Sequence, residues 1–338
     1  MKARRLLPVL IALSSLTACA QQPAPPLWGF AIEGEPRSAP ALAALAEQTR
    51  MPVQLVSFFQ QWPEDASKRG FPIESLRAIR EAGAVPVISW EPMYYQADGK
   101  EVMVPLARIL GGDYDGYIDD YAKQAAAWPG PVIVRLAHEM NLARYHWGTD
   151  PAGFGENSPA IYQQLWRHIV GRFRAAGADN VLFAFCPNSE SVPAATGANR
   201  WNTLTAYYPG HEWVDLLGLD GYNWGDTQTP EKHGWRSHWR SFAEVFREGR
   251  ETLRAVAPDK PLIIFETSSA QTGGDKTRWL REAVATATEW RLGAVIWFQV
   301  DKEIDWRFQS GIPATLAAEL RGPLSPAEAT VGAWKKAR

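Results

Sequence analysis

Short, near-continuous apolar runs recur along the chain at Trp28–Ile32, Val53–Phe59, Val85–Trp90, Val132–Ala137, Val181–Phe185, Val214–Leu219, Leu262–Phe265 and Ala294–Phe298. They lack the strict alternation of a half-exposed strand, which predicts strands buried on both faces. Between them lie stretches with apolar residues at helical spacing: Ala39–Thr49, Ile73–Ala82, Tyr114–Trp128, Ala160–Ala176, a weaker one near Arg200–Tyr207, Ser237–Ala257, Lys276–Arg291 and Ala314–Leu320. Gly83 and Gly177 fall where helices stop, and Pro52, Pro86, Pro131 and Pro261 at strand starts, where a missing N–H does little harm. Strand and helix alternating through the whole chain predict an α/β fold, a (β/α)8 TIM barrel in a single domain. No Gly-rich dinucleotide loop follows the first strand, which argues against an open nucleotide-binding sheet. The longest irregular pieces, Leu142 to Pro159 and Gly221 to Arg236, follow the fourth and sixth strands. Both are expected on the C-terminal face, where barrel enzymes build their sites.

The first residues do not belong to this pattern. Lys2, Arg4 and Arg5 precede an apolar run, Leu6 to Leu16, that is too short to span a bilayer. Leu16-Thr17-Ala18-Cys19 resembles the bacterial lipobox, which makes residues 1–18 a lipoprotein signal peptide and Cys19 the lipidated residue. Residues 19–27, with AQQPAPP, then form a Pro-rich tether, and residues 28–338 the catalytic domain. The expected location is the cell envelope, anchored by lipid at the outer membrane. The 338-residue chain has 46% apolar residues, enough for one large core, and a net charge of −2 that becomes more negative once the signal peptide is removed. That charge gives no electrostatic basis for binding nucleic acid. Beyond Cys19 the one thiol is Cys186, after the apolar run VLFAF, so a buried, inert cysteine is expected.

Two glutamates stand just past apolar runs. PVIVRLAHEMN reaches Glu139, and KPLIIFETSS reaches Glu266. If both runs are parallel barrel strands, both carboxyls open at one rim, as glycosidic bond cleavage requires. With period two, Ile133, Arg135, Ala137 and Glu139 share one face; Leu262, Ile264 and Glu266 share another, as do Gly218, Asp220 and Tyr222. An arginine turned inward needs anions beside it, so Arg135 is expected next to Glu266. Arg135 and Tyr222 would hold Glu266 ionised, whereas Glu139, beside His138 and Met140, would have its pKa raised. A structural ion pair with Arg135 is the plainer alternative.

Sixteen tryptophans are heavy use for one domain. Trp62, Trp90, Trp147, Trp224, Trp297 and Trp306 fall at or after strand C-termini, where sugar faces could stack on them. Competing chemistries fail on spacing. Leu142 stands where a zincin-like H-E-x-x-H needs its second histidine, no G-x-S-x-G elbow occurs, and neither a metal nor a cofactor is implied.

RLAHEMN followed by YHWG, then VDLLGLDGYNWG, FETSS and IWFQVDKEIDWRF, together with GGDYDGYIDDYA and GADNVLFAFCPN, resembles glycoside hydrolase family 26. The resemblance runs in order through nearly all of the chain after Trp28 and implies a retaining (β/α)8 hydrolase, a β-mannanase or β-glucanase. It makes Glu139 the acid/base, Glu266 the nucleophile, and His138 a contact to the sugar at the cleavage point. Tyr222 corresponds to the tyrosine bonded to the nucleophile, Trp297 to the tryptophan beneath that sugar, and Trp90 to a residue lining the same subsite. The expected partner is a poly- or oligosaccharide, a β-mannan, a β-1,3/1,4-glucan or a bacterial exopolysaccharide, bound by a monomer. Leu142, Arg144 and Glu91 depart from the mannanase pattern, which usually has glycine, tryptophan and histidine there. A non-catalytic glycan-binding lipoprotein and a transglycosylase or trimming enzyme of exopolysaccharide production are the alternatives.

Overall fold

In the computed structural model, residues 25–65, 70–148, 158–320 and 326–335 are described. The expected signal peptide, Cys19, most of the expected tether and part of the loop after His146 lie outside them. Eight parallel strands close a barrel: β1 (Leu27–Ala31), β2 (Leu55–Gln61), β3 (Val85–Glu91), β6 (Val132–Leu136), β7 (Val181–Phe185), β8 (Leu216–Asp220), β9 (Leu262–Thr267) and β10 (Ala294–Phe298). Around the ring the order is β1, β10, β9, β8, β7, β6, β3, β2. A small antiparallel hairpin, β4 (Met93–Tyr95) with β5 (Glu101–Met103), rises directly from the end of β3.

The helices of the outer layer are α1 (Ala39–Thr49), α2 (Ile73–Glu81), α3 (Leu106–Leu110), α4 (Asp115–Ala127), α5 (Pro159–Ala175), α6 (Pro230–His233), α7 (Phe242–Val256), α8 (Lys276–Glu289), α9 (Ala314–Leu320) and α10 (Ala327–Lys335). Their starts are chemically marked. Ser241 and Glu244 close a reciprocal capping box on α7, with the Ser241 N–H donating to Glu244 Oε2 at 2.7 Å. The weak helix expected at Arg200–Tyr207 is instead a set of 3-10 turns, Gly197–Asn199, Leu204–Tyr207 and His211–Trp213. That stretch lacks a continuous apolar stripe, and Pro209-Gly210 interrupts it. Ala327 and Val331 of α10 belong to the barrel's inner apolar cluster. No helix among the described residues is long and apolar enough to cross a membrane.

Two apolar layers fix which way each side chain points. Leu27, Leu55, Val87, Ile133, Leu182, Leu216, Ile263 and Ile296 fill the barrel interior. Trp28, Val56, Ile88, Val134, Phe183, Leu217, Ile264 and Val295 face the helices. The interior is crowded: a Cβ at Gly218 would lie 2.6 Å from the Phe265 ring, so only glycine fits there.

This parity corrects two expectations. On β9, Leu262 and Ile264 face the helices, and Glu266 would follow them outward under strict alternation. A register shift against β8, pairing Leu219 with Ile264 but Asp220 with Glu266, inserts one residue and turns Glu266 into the mouth. Past β6, Ala137 packs in the outer layer with φ of 42°, and Glu139 has φ of 50°. Glu139 therefore reaches the mouth through a left-handed turn rather than as a continued strand position. Its N–H donates to the Cys186 carbonyl at 2.8 Å, which holds that turn against β7. Left-handed backbone in residues other than glycine is uncommon and clusters at functional sites.

Candidate active site

Glu266 and Glu139 meet at the C-terminal mouth of the barrel, 5% and 8% exposed. Both oxygens of Glu266 are engaged. Arg135 Nη2 donates to Oε1, and the Tyr222 hydroxyl donates to Oε2 at 2.7 Å. Arg135 is wholly buried and uses its remaining donors on Asp220 Oδ2 at 2.6 Å and on Ser89 Oγ at 2.7 and 3.0 Å. Burial opposes its charge, but Asp220 and Glu266 outweigh this and hold its pKa well above the usual value. Arg135 therefore stands behind Glu266, its donors taken up by protein groups.

Among the described residues Glu139 has one side-chain donor, a neutral one. Asn188 Nδ2 lies 2.7 Å from its Oε1, and the orientation of that amide is set because Asn188 Oδ1 accepts the Glu190 N–H at 3.0 Å. Asn141 in turn holds Asn188, accepting its backbone N–H at 2.8 Å and donating to its carbonyl at 2.9 Å. Burial first, and the charge of Glu266 second, push the Glu139 carboxyl up to about 7, with Asn188 pulling the other way. Two carboxyls in one mouth thus have different partners, as acid and nucleophile roles require.

His138 lies 1% exposed beside them. Burial, then Arg135, hold its pKa well below the usual imidazole value, so it is neutral. One ring nitrogen is 3.3 Å from the Tyr145 hydroxyl, and Nδ1 has no protein partner among the described residues. His138, Glu139 and Asp220 offer donor atoms within 4.8 Å of one another. The Arg135 guanidinium on Asp220 already supplies positive charge there, so the donor set does not fit a cation.

The aromatic expectations need the larger corrections. Trp90 is fully buried and faces the helices, stacked on Tyr121 at 4.5 Å with its indole N–H on Tyr117. Trp297 likewise turns outward, stacking on Trp28 at 6.2 Å. Each neighbours an inward residue, and on β10 the residue facing the mouth is Phe298, 5.6 Å from the Tyr222 ring. Trp147 is buried beneath His138 and donates to its carbonyl at 2.7 Å, so it supports the loop. Trp62 and Trp306 are also buried. Trp224 is half-buried, and with Trp306 it extends a strip of rings from Tyr222 (Tyr222–Trp306 4.6 Å, Trp224–Trp306 4.8 Å) outward to Trp235.

Asn188 escaped the sequence reading, although its place two residues past Cys186 at the end of β7 marks it as a rim position. Glu91, named there only as a departure from the mannanase pattern, also lies at the mouth. It is the inward residue beside Trp90, 2% exposed, and accepts a 2.6 Å hydrogen bond from Gln61. Burial raises its carboxyl to about 7, against the pull of Gln61 and Arg135.

Residues 109–244 match the model of glycosyl hydrolase family 26. Endoglucanase H of Acetivibrio thermocellus is 33% identical over 290 residues, 84% of this chain and 29% of that protein. A mannan endo-1,4-beta-mannosidase of Bacillus subtilis strain 168 is 28% identical over 127 residues, 37% of this chain and 30% of its own length. The chain thus spans less than a third of either relative. Among solved structures, a Bacillus subtilis mannanase superposes with a TM-score of 0.60 at 17% identity, over 90% of this chain and 86% of its own. The Bacteroides ovatus mannanase BoMan26A gives 0.57 at 18% identity, over 91% and 90%. With its motifs, its closed barrel and these matches agreeing, the chain belongs to glycosyl hydrolase family 26.

Proposed function

We propose that the chain is a retaining endo-β-glycosidase that cleaves a β-linked polysaccharide by double displacement. The observation that carries this reading is the unequal support of the two mouth carboxyls, Glu266 held by Arg135 and Tyr222 and Glu139 by Asn188 alone. Glu139 protonates the departing glycosidic oxygen while Glu266 attacks the anomeric carbon, forming a glycosyl-enzyme. Water then attacks that carbon, Glu139 takes its proton, and Glu266 leaves. Hydrolysis is favoured over a binding-only role because both carboxyls and their donors are present.

A β-1,3/1,4-glucan is preferred over β-mannan as substrate. The relative matching most of this chain is named an endoglucanase, while the Bacillus mannanase matches little more than a third. Glu91, Leu142 and Arg144 depart from the mannanase pattern in the same direction. The test is hydrolysis of lichenan, mannan, β-1,3-xylan and a bacterial exopolysaccharide by the full chain, Glu139→Gln and Glu266→Ala. Both variants are expected to lose turnover by orders of magnitude, and azide is expected to rescue Glu266→Ala with an α-glycosyl azide as product. Unimpaired hydrolysis by both variants refutes the reading. A carboxyl separation far from the roughly 5–5.5 Å of retaining enzymes, measured in a crystal of the complex, refutes the mechanism.

The lipobox at Cys19 supports a lipid-anchored protein of the cell envelope. Cys19→Ala is expected to leave the membrane fraction, and unchanged partitioning would exclude the anchor.

A further inference from the structure

Lys276, the first residue of α8, is half-buried and aims its ammonium at neutral oxygens. It donates to Ser268 Oγ at 3.1 Å, to the Ser269 carbonyl at 2.8 Å and to the Trp306 carbonyl at 2.6 Å. The Ser268 hydroxyl gives its own proton to the same Trp306 carbonyl at 2.7 Å, so its oxygen is left to accept. An ammonium carries three protons and no lone pair, which matches these three acceptors. The Phe308 ring lies 4.7 Å from the nitrogen and adds a fourth contact. Burial pulls the Lys276 pKa down to about 7, with Asp305 opposing. The start of the helix does not account for this lysine, because Asp275 already caps α8 by accepting the Arg278 N–H at 3.0 Å.

Both segments that Lys276 joins lead to Tyr222. Past the end of β9, Ser268 and Ser269 continue the pairing with the chain that follows β8. The Asn223 N–H donates to the Ser268 carbonyl at 2.9 Å, and the Ala270 N–H to the Asn223 carbonyl at 2.7 Å. Tyr222 is the residue before Asn223. From the loop after β10, the buried Trp306 ring packs on the Tyr222 ring with centroids 4.6 Å apart. The backbone neighbour of Tyr222 and its ring neighbour are therefore fastened to each other through one ammonium. The Tyr222 hydroxyl in turn donates to Glu266 Oε2 at 2.7 Å.

We infer that Lys276 is a positioning residue for the nucleophile: by clamping the end of β9 to the loop after β10 it fixes Tyr222, and through the Tyr222 hydroxyl the carboxylate of Glu266. The inference rests on the glycosidase reading above and gives a part in it to a residue bonded only to protein groups. A tyrosine free to shift loses the hydrogen bond that orients the attacking oxygen. Such misplacement slows the chemical step and leaves substrate binding nearly as it was.

The experiment measures kcat and KM on the best polysaccharide of the panel, well below the melting temperature of each protein. It compares the full chain with Lys276→Met, Lys276→Arg, Ser268→Ala, Tyr222→Phe, Glu266→Ala and the double variant Lys276→Met with Tyr222→Phe. Methionine keeps the length of the lysine stem without its donors. Lys276→Met should lower kcat about tenfold with KM within about twofold of wild type, and Lys276→Arg, which keeps donors, should recover part of the loss. The double variant should match Tyr222→Phe alone to within about twofold, because phenylalanine lacks the hydroxyl through which Lys276 acts. Ser268→Ala removes one arm of the clamp at little change in volume and should also lose kcat at unchanged KM. It decides the matter if Lys276→Met does not fold. A lowered melting temperature with wild-type kcat, or additive losses in the double variant, overturns the clamp alone when Tyr222→Phe and Glu266→Ala are impaired. Wild-type rates in Tyr222→Phe and Glu266→Ala overturn the glycosidase reading and the clamp with it.

Discussion

Asn188 offers a direct handle on the proton of Glu139. Among the described residues its amide N–H is the sole side-chain donor to that carboxyl, at 2.7 Å, and the Glu190 N–H on Asn188 Oδ1 keeps the amide from turning its oxygen inward. A donor of this kind stabilises the carboxylate more than the neutral acid, so removing it raises the pKa further. A hydrogen bond to a charged group contributes about 1.5–3 kcal/mol, and 1.36 kcal/mol corresponds to one pH unit. Water entering the space left by alanine recovers part of this, so Asn188→Ala should raise the Glu139 carboxyl above its present value of about 7 by about one pH unit. Because the general acid must be protonated, the alkaline limb of the kcat/KM profile should move up by the same amount. Activity at the optimum should fall as well, since Glu139 loses the contact that orients it. Asn188→Asp, which places an acceptor where the donor was, should move the limb further than alanine does. The assay is the pH profile of initial rates on the best polysaccharide of the panel. An alkaline limb that stays in place or moves down in both variants would refute the assignment of Glu139 as the acid.

Glu91 carries a pH-dependent stability of known sign. Its carboxyl is raised from 4.5 to about 7 in the folded chain. Its favourable contribution is therefore full below pH 4.5 and is lost as pH rises through about 7, to a limit of roughly 3 kcal/mol. Glu91→Gln cannot ionise, so its melting temperature relative to wild type should rise by a few degrees between pH 5 and pH 8.5. A constant or falling difference between the two melts would contradict the burial argument. Trp90→Ala should lose about 3–5 kcal/mol of stability, as expected for a core indole, with KM within about twofold of wild type. A large rise in KM at unchanged stability would return Trp90 to the sugar site.

The barrel itself was legible because eight apolar runs, punctuated by glycine and proline, survive inspection one residue at a time. All eight strands lie within two residues of their expected bounds. Short elements without such runs were not legible. The three-residue strands of the β4–β5 hairpin carry no period, and α10, with Ala327, Ala329, Gly332 and Ala333, has too thin an apolar stripe to distinguish it from a frayed end. At the rim, parity was the deciding variable. Counting inward from Val85 and Val87 gives Ser89 and Glu91, which leaves Trp90 outward; counting from Ala294 and Ile296 gives Phe298 and leaves Trp297 outward. A tryptophan at a strand end attracts a sugar-stacking reading by its identity, yet its neighbour holds the position. The bulge on β9 runs the other way. No composition rule marks it, and without it Glu266 would point at the helices.

The rim also explains why a single arginine sits in the core. Glu91, Asp220, Glu139 and Glu266 all converge on the mouth, and Arg135 is the one wholly buried cation described there. One fixed positive charge cannot neutralise four carboxylates in a dry cavity, so protons must remain on some of them. Arg135 spends its contacts on Asp220 and Glu266, while burial raises Glu139 and Glu91 to about 7 and raises Asp220 as well, despite the guanidinium beside it. The proton of Glu139 is therefore held by burial first and by the charge of Glu266 second, against the smaller opposing pulls of Asn188 and Arg135. Asp220, which no step of the proposed reaction touches, then has a role: it accepts from one arm of the guanidinium and so aims the other arm at Glu266.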